Sequence, residues 1–107
     1  MNRSFSLCLA VAATLFFPAF AQGDDGAAVY KAKCAACHGA DGSGNTPAGK
    51  SLKLRDLRSP EVQKLSDDEL TQVITDGKGK MPAYKGKIPP DQIKALVALI
   101  RAMAAPK

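Results

Sequence analysis

A short run in the first half of the chain combines two thiols with an imidazole. It reads Cys34-Ala35-Ala36-Cys37-His38, so the histidine directly follows the second cysteine. Residues three apart lie on the same face of a helix, and both thiols can therefore reach the two vinyl groups along one porphyrin edge. The imidazole is then placed to bind the porphyrin iron from one side. The run predicts covalent attachment of one c-type haem through Cys34 and Cys37, with His38 as an axial ligand.

Three other uses of these residues compete with haem attachment. A structural zinc site needs four nitrogen or sulfur ligands, and apart from Cys8 near the N-terminus the chain offers two Cys and one His. A thioredoxin-like C-x-x-C belongs to a βαβ pattern, which this sequence lacks. A disulfide between Cys34 and Cys37 would close a very short loop, constrain little, and leave His38 unexplained.

The opposite side of the iron needs a second ligand, and His38 is the only histidine of the chain. Ligation by two histidines of this chain is therefore excluded. Met81 stands in a glycine-rich loop beside a proline, and a soft thioether so placed suits the second axial position. The alternative is a loop methionine that only covers the core. Met103 lies on the apolar stripe of the last predicted helix, where we expect a core filler.

The first 21 residues have the pattern of a secretory signal peptide. Arg3 is followed by an apolar run and by Ala19-Phe20-Ala21, an A-x-A cleavage sequence. Cleavage after Ala21 would leave residues 22–107 as one domain, with a net charge one unit below the +5 of the whole chain. An uncleaved membrane anchor is the alternative, and Pro18 and the small residues argue against it. We predict a periplasmic protein whose mature part is soluble.

The mature domain is too small for a multidomain enzyme and lacks large aromatic residues. All four Phe fall within residues 1–21, and the chain has no Trp. Small domains bury a low fraction of their surface, so something besides side chains must fill the core. A bound haem would supply that apolar volume.

The remaining pattern predicts about four helices and no paired strands, so the fold class is all-α. Ser59-Pro60 and the capping box that begins at Ser66 mark two helix starts, and Gly77 marks a stop. Residues 39–49 predict a loop, and residues 51–59 predict an extended loop held by its leucines. The predicted helices run from Gly26 to His38, from Pro60 to Leu65, from Ser66 to the stop at Gly77, and from Asp91 to Ala104.

Three segments closely resemble class I c-type cytochromes, above all small single-haem bacterial cytochromes and the cytochrome-c domains of terminal oxidases. They are C-A-A-C-H-G at residues 34–39, G-K-M-P-A-Y at 79–84 and A-L-V-A-L-I-R at 95–101. The resemblance covers residues 24–104. It implies the small cytochrome-c fold, with about four helices wrapped around one covalently bound haem.

The resemblance also implies roles for residues outside the haem motif. In that family the first and last helices cross closely, and Gly26 and Tyr30 match the crossing positions, whereas Leu99 stands where an aromatic is usual. The family has a proline whose carbonyl accepts the proximal imidazole N–H, and Pro47 is the candidate. Arg55 and Tyr84 are candidates to approach a haem propionate, or they lie on the surface.

The function implied is electron transfer, with no catalytic residue. Iron held by His38 and Met81 has no open coordination position, so the protein is expected to be an electron carrier and not an enzyme. The alternative is a haem-based sensor or peroxidatic enzyme in which Met81 detaches. A cytochrome subunit docked in a larger complex is a third interpretation.

Four lysines around Met81, which are Lys78, Lys80, Lys85 and Lys87, indicate what kind of partner the protein binds. They predict a contact with acidic patches on an oxidase, reductase or dehydrogenase, and the alternative is a solvated loop. Nucleic acid is excluded as a partner because the protein is exported and no aromatic platform accompanies the basic residues. We expect the protein to be a monomer.

Overall fold

The computed structural model describes residues 22–104, and within them the backbone forms six α-helices and no strand. The predicted all-α fold class is confirmed. The signal-peptide and anchor interpretations concern residues 1–21 and lie outside the described residues. The helices are α1 (Gln22–Lys33), α2 (Ala35–His38), α3 (Pro47–Leu52), α4 (Pro60–Gln63), α5 (Asp67–Asp76) and α6 (Pro90–Met103).

Two helix starts are capped as the sequence predicts. The Ser66 hydroxyl accepts a hydrogen bond from the Glu69 amide at 3.1 Å, and the Glu69 carboxylate accepts one from the Ser66 amide at 2.8 Å. This capping box satisfies two amides at the start of α5. At α4 the Ser59 hydroxyl accepts a hydrogen bond from the Val62 amide at 3.4 Å, and proline is the first helical residue.

The structure has more helices than predicted, for two local reasons. The predicted helix from Gly26 to His38 begins earlier and is broken at Cys34, whose φ of −118° departs from helical geometry. Part of the predicted loop forms α3, because the Thr46 side chain caps the helix and Pro47 supplies its first residue. The glycine content of this stretch obscured that start signal in the sequence.

The crossing of α1 and α6 brings together the two ends of the described chain. A Cβ built on Gly26 would lie 3.0 Å from the Ala95 carbonyl oxygen and 3.1 Å from its Cβ, so the two backbones approach closely there. Tyr30 is buried one turn later, and Leu99 packs half-buried at the edge of the core. The apolar stripe of α6 is buried at Ile93, Leu96, Val97 and Ile100.

None of the helices between residues 22 and 104 is long and apolar enough to cross a membrane.

Candidate haem-binding site

An apolar cavity of about 270 Å³ lies beside the C-x-x-C-H segment. His38 and Met81 both line it, and side chains of α5 and α6 such as Leu70 and Ile100 form much of its wall. A smaller cavity adjoins it and is lined by both cysteines together with His38 and Met81. The structure therefore brings the four principal predicted site residues, Cys34, Cys37, His38 and Met81, to one place.

His38 presents an imidazole nitrogen that lacks a partner. Its Nδ1 is buried and forms no hydrogen bond in the described part of the protein. Burial lowers the pKa of His38 below its usual value, which favours the neutral ring that metals bind. A neutral imidazole in an apolar cavity is a suitable iron ligand.

The hydrogen bond expected from the His38 imidazole N–H to the Pro47 carbonyl is not formed in this structure. Nδ1 has no acceptor, and Pro47 is the first residue of α3. The carbonyl of a first helical residue points along the helix axis toward the amide four residues later. No contact between the Pro47 carbonyl and His38 is formed among the described residues, so the role of Pro47 stays a prediction.

The two cysteines are free thiols and both are half-buried. Burial raises the pKa of the Cys34 thiol, and the neighbouring Cys37 adds to this effect. Cys34 stands at the break between α1 and α2, whereas Cys37 lies within α2. Both line the smaller cavity, so they would hold a haem bound there.

The two candidate methionines occupy different surroundings. Met81 is half-buried between the two cavities, where its loop is closed by paired backbone hydrogen bonds with Lys78 at 3.0 and 3.2 Å. Met103 lines neither cavity. Its sulfur would lie 2.8 Å from a Cβ built on Gly42, so it packs against the loop after α2. The geometry favours Met81 as the second ligand.

The donor set fits an iron porphyrin. Two thiols, a buried neutral imidazole and a thioether surround an apolar space, and these are the groups that attach and ligate a c-type haem. Arg55 also lines the larger cavity, although its guanidinium is exposed and lies 3.6 Å from the Glu61 carboxylate.

Comparison with known proteins decides the family. Residues 21–100 match the family model described as "Cytochrome C oxidase, cbb3-type, subunit III". This chain belongs to the class I c-type cytochromes. The cytochrome c6 of Nostoc sp. strain PCC 7120 is 36% identical over 105 residues, covering 94% of this cytochrome and 92% of that protein. The cytochrome c6 of Leptolyngbya boryana is 37% identical over 75 residues, covering 70% and 85%.

A solved structure shows the same fold. The KustC0563 c-type cytochrome superposes with a TM-score of 0.70 at 35% identity, covering 76% of this cytochrome and 99% of that chain. Family membership confirms the predicted cofactor, so the protein carries a covalently bound haem c with iron. It is an electron carrier and not an enzyme.

Sequence reasoning missed the residues that hold the backbone of the haem motif. The Thr46 hydroxyl donates to the Cys37 carbonyl at 2.7 Å and accepts from the Gly49 amide at 2.8 Å. The Gly44 amide donates to the His38 carbonyl at 2.7 Å. Thr46 was identifiable from the Thr-Pro pair as a helix cap, but its bond to the cytochrome's motif depends on a loop path that local patterns do not encode.

Tyr30 supports the same segment of the cytochrome from α1. Its hydroxyl donates to the Gly39 carbonyl at 2.6 Å inside the core. Burial, with a smaller contribution from Cys34, raises the pKa of Tyr30 to about 12. The family resemblance predicted Tyr30 at the helix crossing, and the hydrogen bond gives it a second contact, with the residue after His38.

Proposed function

We propose that this cytochrome carries one electron on a haem that is attached through Cys34 and Cys37 and ligated by His38 and Met81. The observation that supports this most strongly is that His38 and Met81 line the same apolar cavity. When bound, the haem iron supplies one-electron redox chemistry. His38 and Met81 would occupy both axial positions, so electron transfer would require no bond to the iron to form or break.

The remaining residues of the site control its environment. The wall of the cavity is largely apolar, and a low dielectric constant around the iron would disfavour the more highly charged ferric state. The thioether of Met81 is neutral and raises the reduction potential relative to an anionic ligand. We infer that both effects raise the reduction potential of the haem, as suits a protein that accepts an electron from one partner and passes it to another.

Substitution of the two methionines tests the ligand assignment. Met81→Ala should remove the far-red absorption band that is characteristic of thioether ligation, while Cys34 and Cys37 still hold the haem. The variant should bind cyanide readily and show a lower reduction potential if water takes the vacant position.

Met103→Leu is the matched control, because it exchanges side chains of similar volume on α6 and away from both cavities. Its spectrum should equal that of the wild type. If Met103→Leu lost the band and Met81→Ala kept it, the assignment would be wrong.

We further propose that the lysines around Met81 guide the cytochrome to acidic surfaces of its redox partners. Lys78, Lys80, Lys85 and Lys87 are all exposed, and Lys78 and Lys80 also line the cavities. Among the side chains of residues 26–104 none of the four forms an ion pair. Unpaired like charges at one edge of a site attract a partner of opposite charge and accelerate association.

Small redox reagents of opposite charge test this surface without a known partner. Lys80→Gln should slow oxidation of the ferrous protein by anionic ferricyanide at low salt, and the effect should shrink as salt rises. Oxidation by a cationic cobalt phenanthroline complex should not be slowed. Lys64→Gln, at the end of α4, is the control. Equal effects of the two substitutions would support a solvated loop instead.

We also propose, from the sequence of residues 1–21, that the protein is exported to the periplasm and acts there as a monomer. The N-terminal sequence of the exported protein should begin at Gln22, and analytical ultracentrifugation should give the mass of one chain with one haem. Retention of residues 1–21 in a membrane fraction would favour an anchor.

A further inference from the structure

Tyr84 connects the loop that carries Met81 to the haem-attachment segment. Its hydroxyl donates a hydrogen bond to the Lys33 carbonyl at 3.1 Å, and Lys33 is the residue before Cys34. The Tyr84 amide donates to the Ile74 carbonyl at 3.1 Å, which fixes the other end of the residue to α5. Tyr84 therefore spans the distance between the end of α5 and the end of α1.

The rest of this loop has few other attachments. The hydrogen bonds between Lys78 and Met81 are local to the loop, and Gly79 adopts a φ of +59° with open space around it. Pro82 and Ala83 are exposed. Among residues 26–104, whose side chains the structure describes, the bond from Tyr84 to Lys33 is the only hydrogen bond that joins residues 77–89 to α1 or α2.

We infer that Tyr84 is a positioning residue, whose hydroxyl holds the Met81 loop closed over the cavity by bonding the Lys33 carbonyl. The inference rests on the proposed ligation by Met81. Thioether bonds at Cys34 and Cys37 would fix the backbone next to Lys33, so this carbonyl is an anchor that does not move with the loop. The side chains of Tyr84, Cys34 and Met81 line the same small cavity, so the bond lies beside the ligand that it positions.

The hydrogen bond of Tyr84 affects how often Met81 would dissociate from the haem iron. A loop held by few interactions opens locally without unfolding of the core, and each bond that is broken in the open state lowers its population. Removing the Tyr84 hydroxyl should raise the population of the open loop roughly threefold, because the closed loop then loses one partly exposed hydrogen bond. External ligands that compete with Met81 should then bind faster in the same proportion.

Tyr84→Phe tests this because it keeps the ring and removes only the hydroxyl. The second-order rate of cyanide binding to the ferric holoprotein, measured at low cyanide, reports the population of the open loop, since Met81 must leave first. We expect the rate to rise roughly threefold, with the far-red band still present at rest. Thr75→Val is the matched control. It removes a hydroxyl that bonds only within α5, to the Thr71 carbonyl at 2.7 Å, and should leave the rate unchanged.

Each outcome decides the inference. A rate for Tyr84→Phe equal to that of the wild type would overturn it, as would an equal acceleration in Thr75→Val, which would indicate general destabilisation. A wild-type spectrum without the far-red band would reject ligation by Met81, and the role of Tyr84 with it. A band present in the wild type, together with an unchanged Tyr84→Phe rate, would reject the role of Tyr84 alone.

Discussion

Replacement of Gly49 by alanine has two opposite effects on stability: alanine has the higher helix propensity, but its Cβ clashes with the backbone of the haem motif. Gly49 lies inside α3, where alanine is favoured over glycine by about 1 kcal/mol. A Cβ at this position, however, would lie 2.8 Å from the Cys37 carbonyl oxygen and would overlap the Gly44 carbonyl oxygen. Propensity alone therefore predicts a more stable protein, and the packing predicts a less stable one.

The packing effect should be the larger one because hydrogen bonds hold both carbonyls in place. The Cys37 carbonyl accepts from the Thr46 hydroxyl at 2.7 Å, and the Gly44 carbonyl accepts from the Thr46 amide at 2.9 Å. Overpacking costs about 1–3 kcal/mol, and loss of two hydrogen bonds adds about 1 kcal/mol each. After the gain in propensity is subtracted, Gly49→Ala should lower the free energy of unfolding by about 2–4 kcal/mol.

Urea unfolding of the ferric holoprotein, followed by circular dichroism, measures this change. Ser51→Ala is the matched control, since Ser51 is exposed on the same helix and alanine has the higher propensity there. It should change the free energy of unfolding by less than about 0.5 kcal/mol. A Gly49→Ala protein as stable as the wild type would refute the argument, because it would show that α3 shifts freely relative to Cys37.

Two further predictions concern the phenol of Tyr30 and the guanidinium of Arg101. The pKa of Tyr30 is raised by burial from 10.0 to about 12, so its contribution to stability is complete below about pH 10 and is lost as the pH rises through about 12. In urea titrations, the stability difference between the wild type and Tyr30→Phe should shrink over that range, and a constant difference would contradict this. Arg101→Leu leaves the carbonyls of Gln63 and Leu65 without their donor and should cost about 2 kcal/mol in urea unfolding. Asp67→Asn removes an ion-pair partner that is 74% exposed and should cost less than about 0.5 kcal/mol, so equal losses would contradict the carbonyl argument.

The features that sequence predicted are those encoded within a few residues. The attachment motif needs only the order of Cys34, Cys37 and His38, and the start of α5 needs only Ser66 and its capping partner. Family resemblance added the close crossing at Gly26, which the structure confirms. These features depend on covalent order or on one helical turn, so distant residues do not alter them.

The features that sequence missed depend on how distant segments meet. The helix at 47–52 stands in a stretch whose glycines indicated a loop, because Gly49 serves close packing against Cys37 and not flexibility. The break at Cys34 interrupts a pattern that is helical throughout in composition. The acceptor role of Pro47 also depends on how two segments meet, and it stays a prediction, since His38 Nδ1 has no partner in the described structure.

The two sides of the site are held by different numbers of hydrogen bonds. On the His38 side, the carbonyls of α2 and of the residue after it accept hydrogen bonds from Tyr30, Thr46 and Gly44, and the proposed thioether bonds to the haem would strengthen this side further. On the Met81 side, a glycine-containing loop is held to the attachment segment through Tyr84. Since segments with few contacts open first, any exchange of ligands should begin with Met81 while His38 stays in place. An electron carrier gains from this order, because the haem stays attached and oriented whenever the loop opens, and closure of the loop restores the original ligand set.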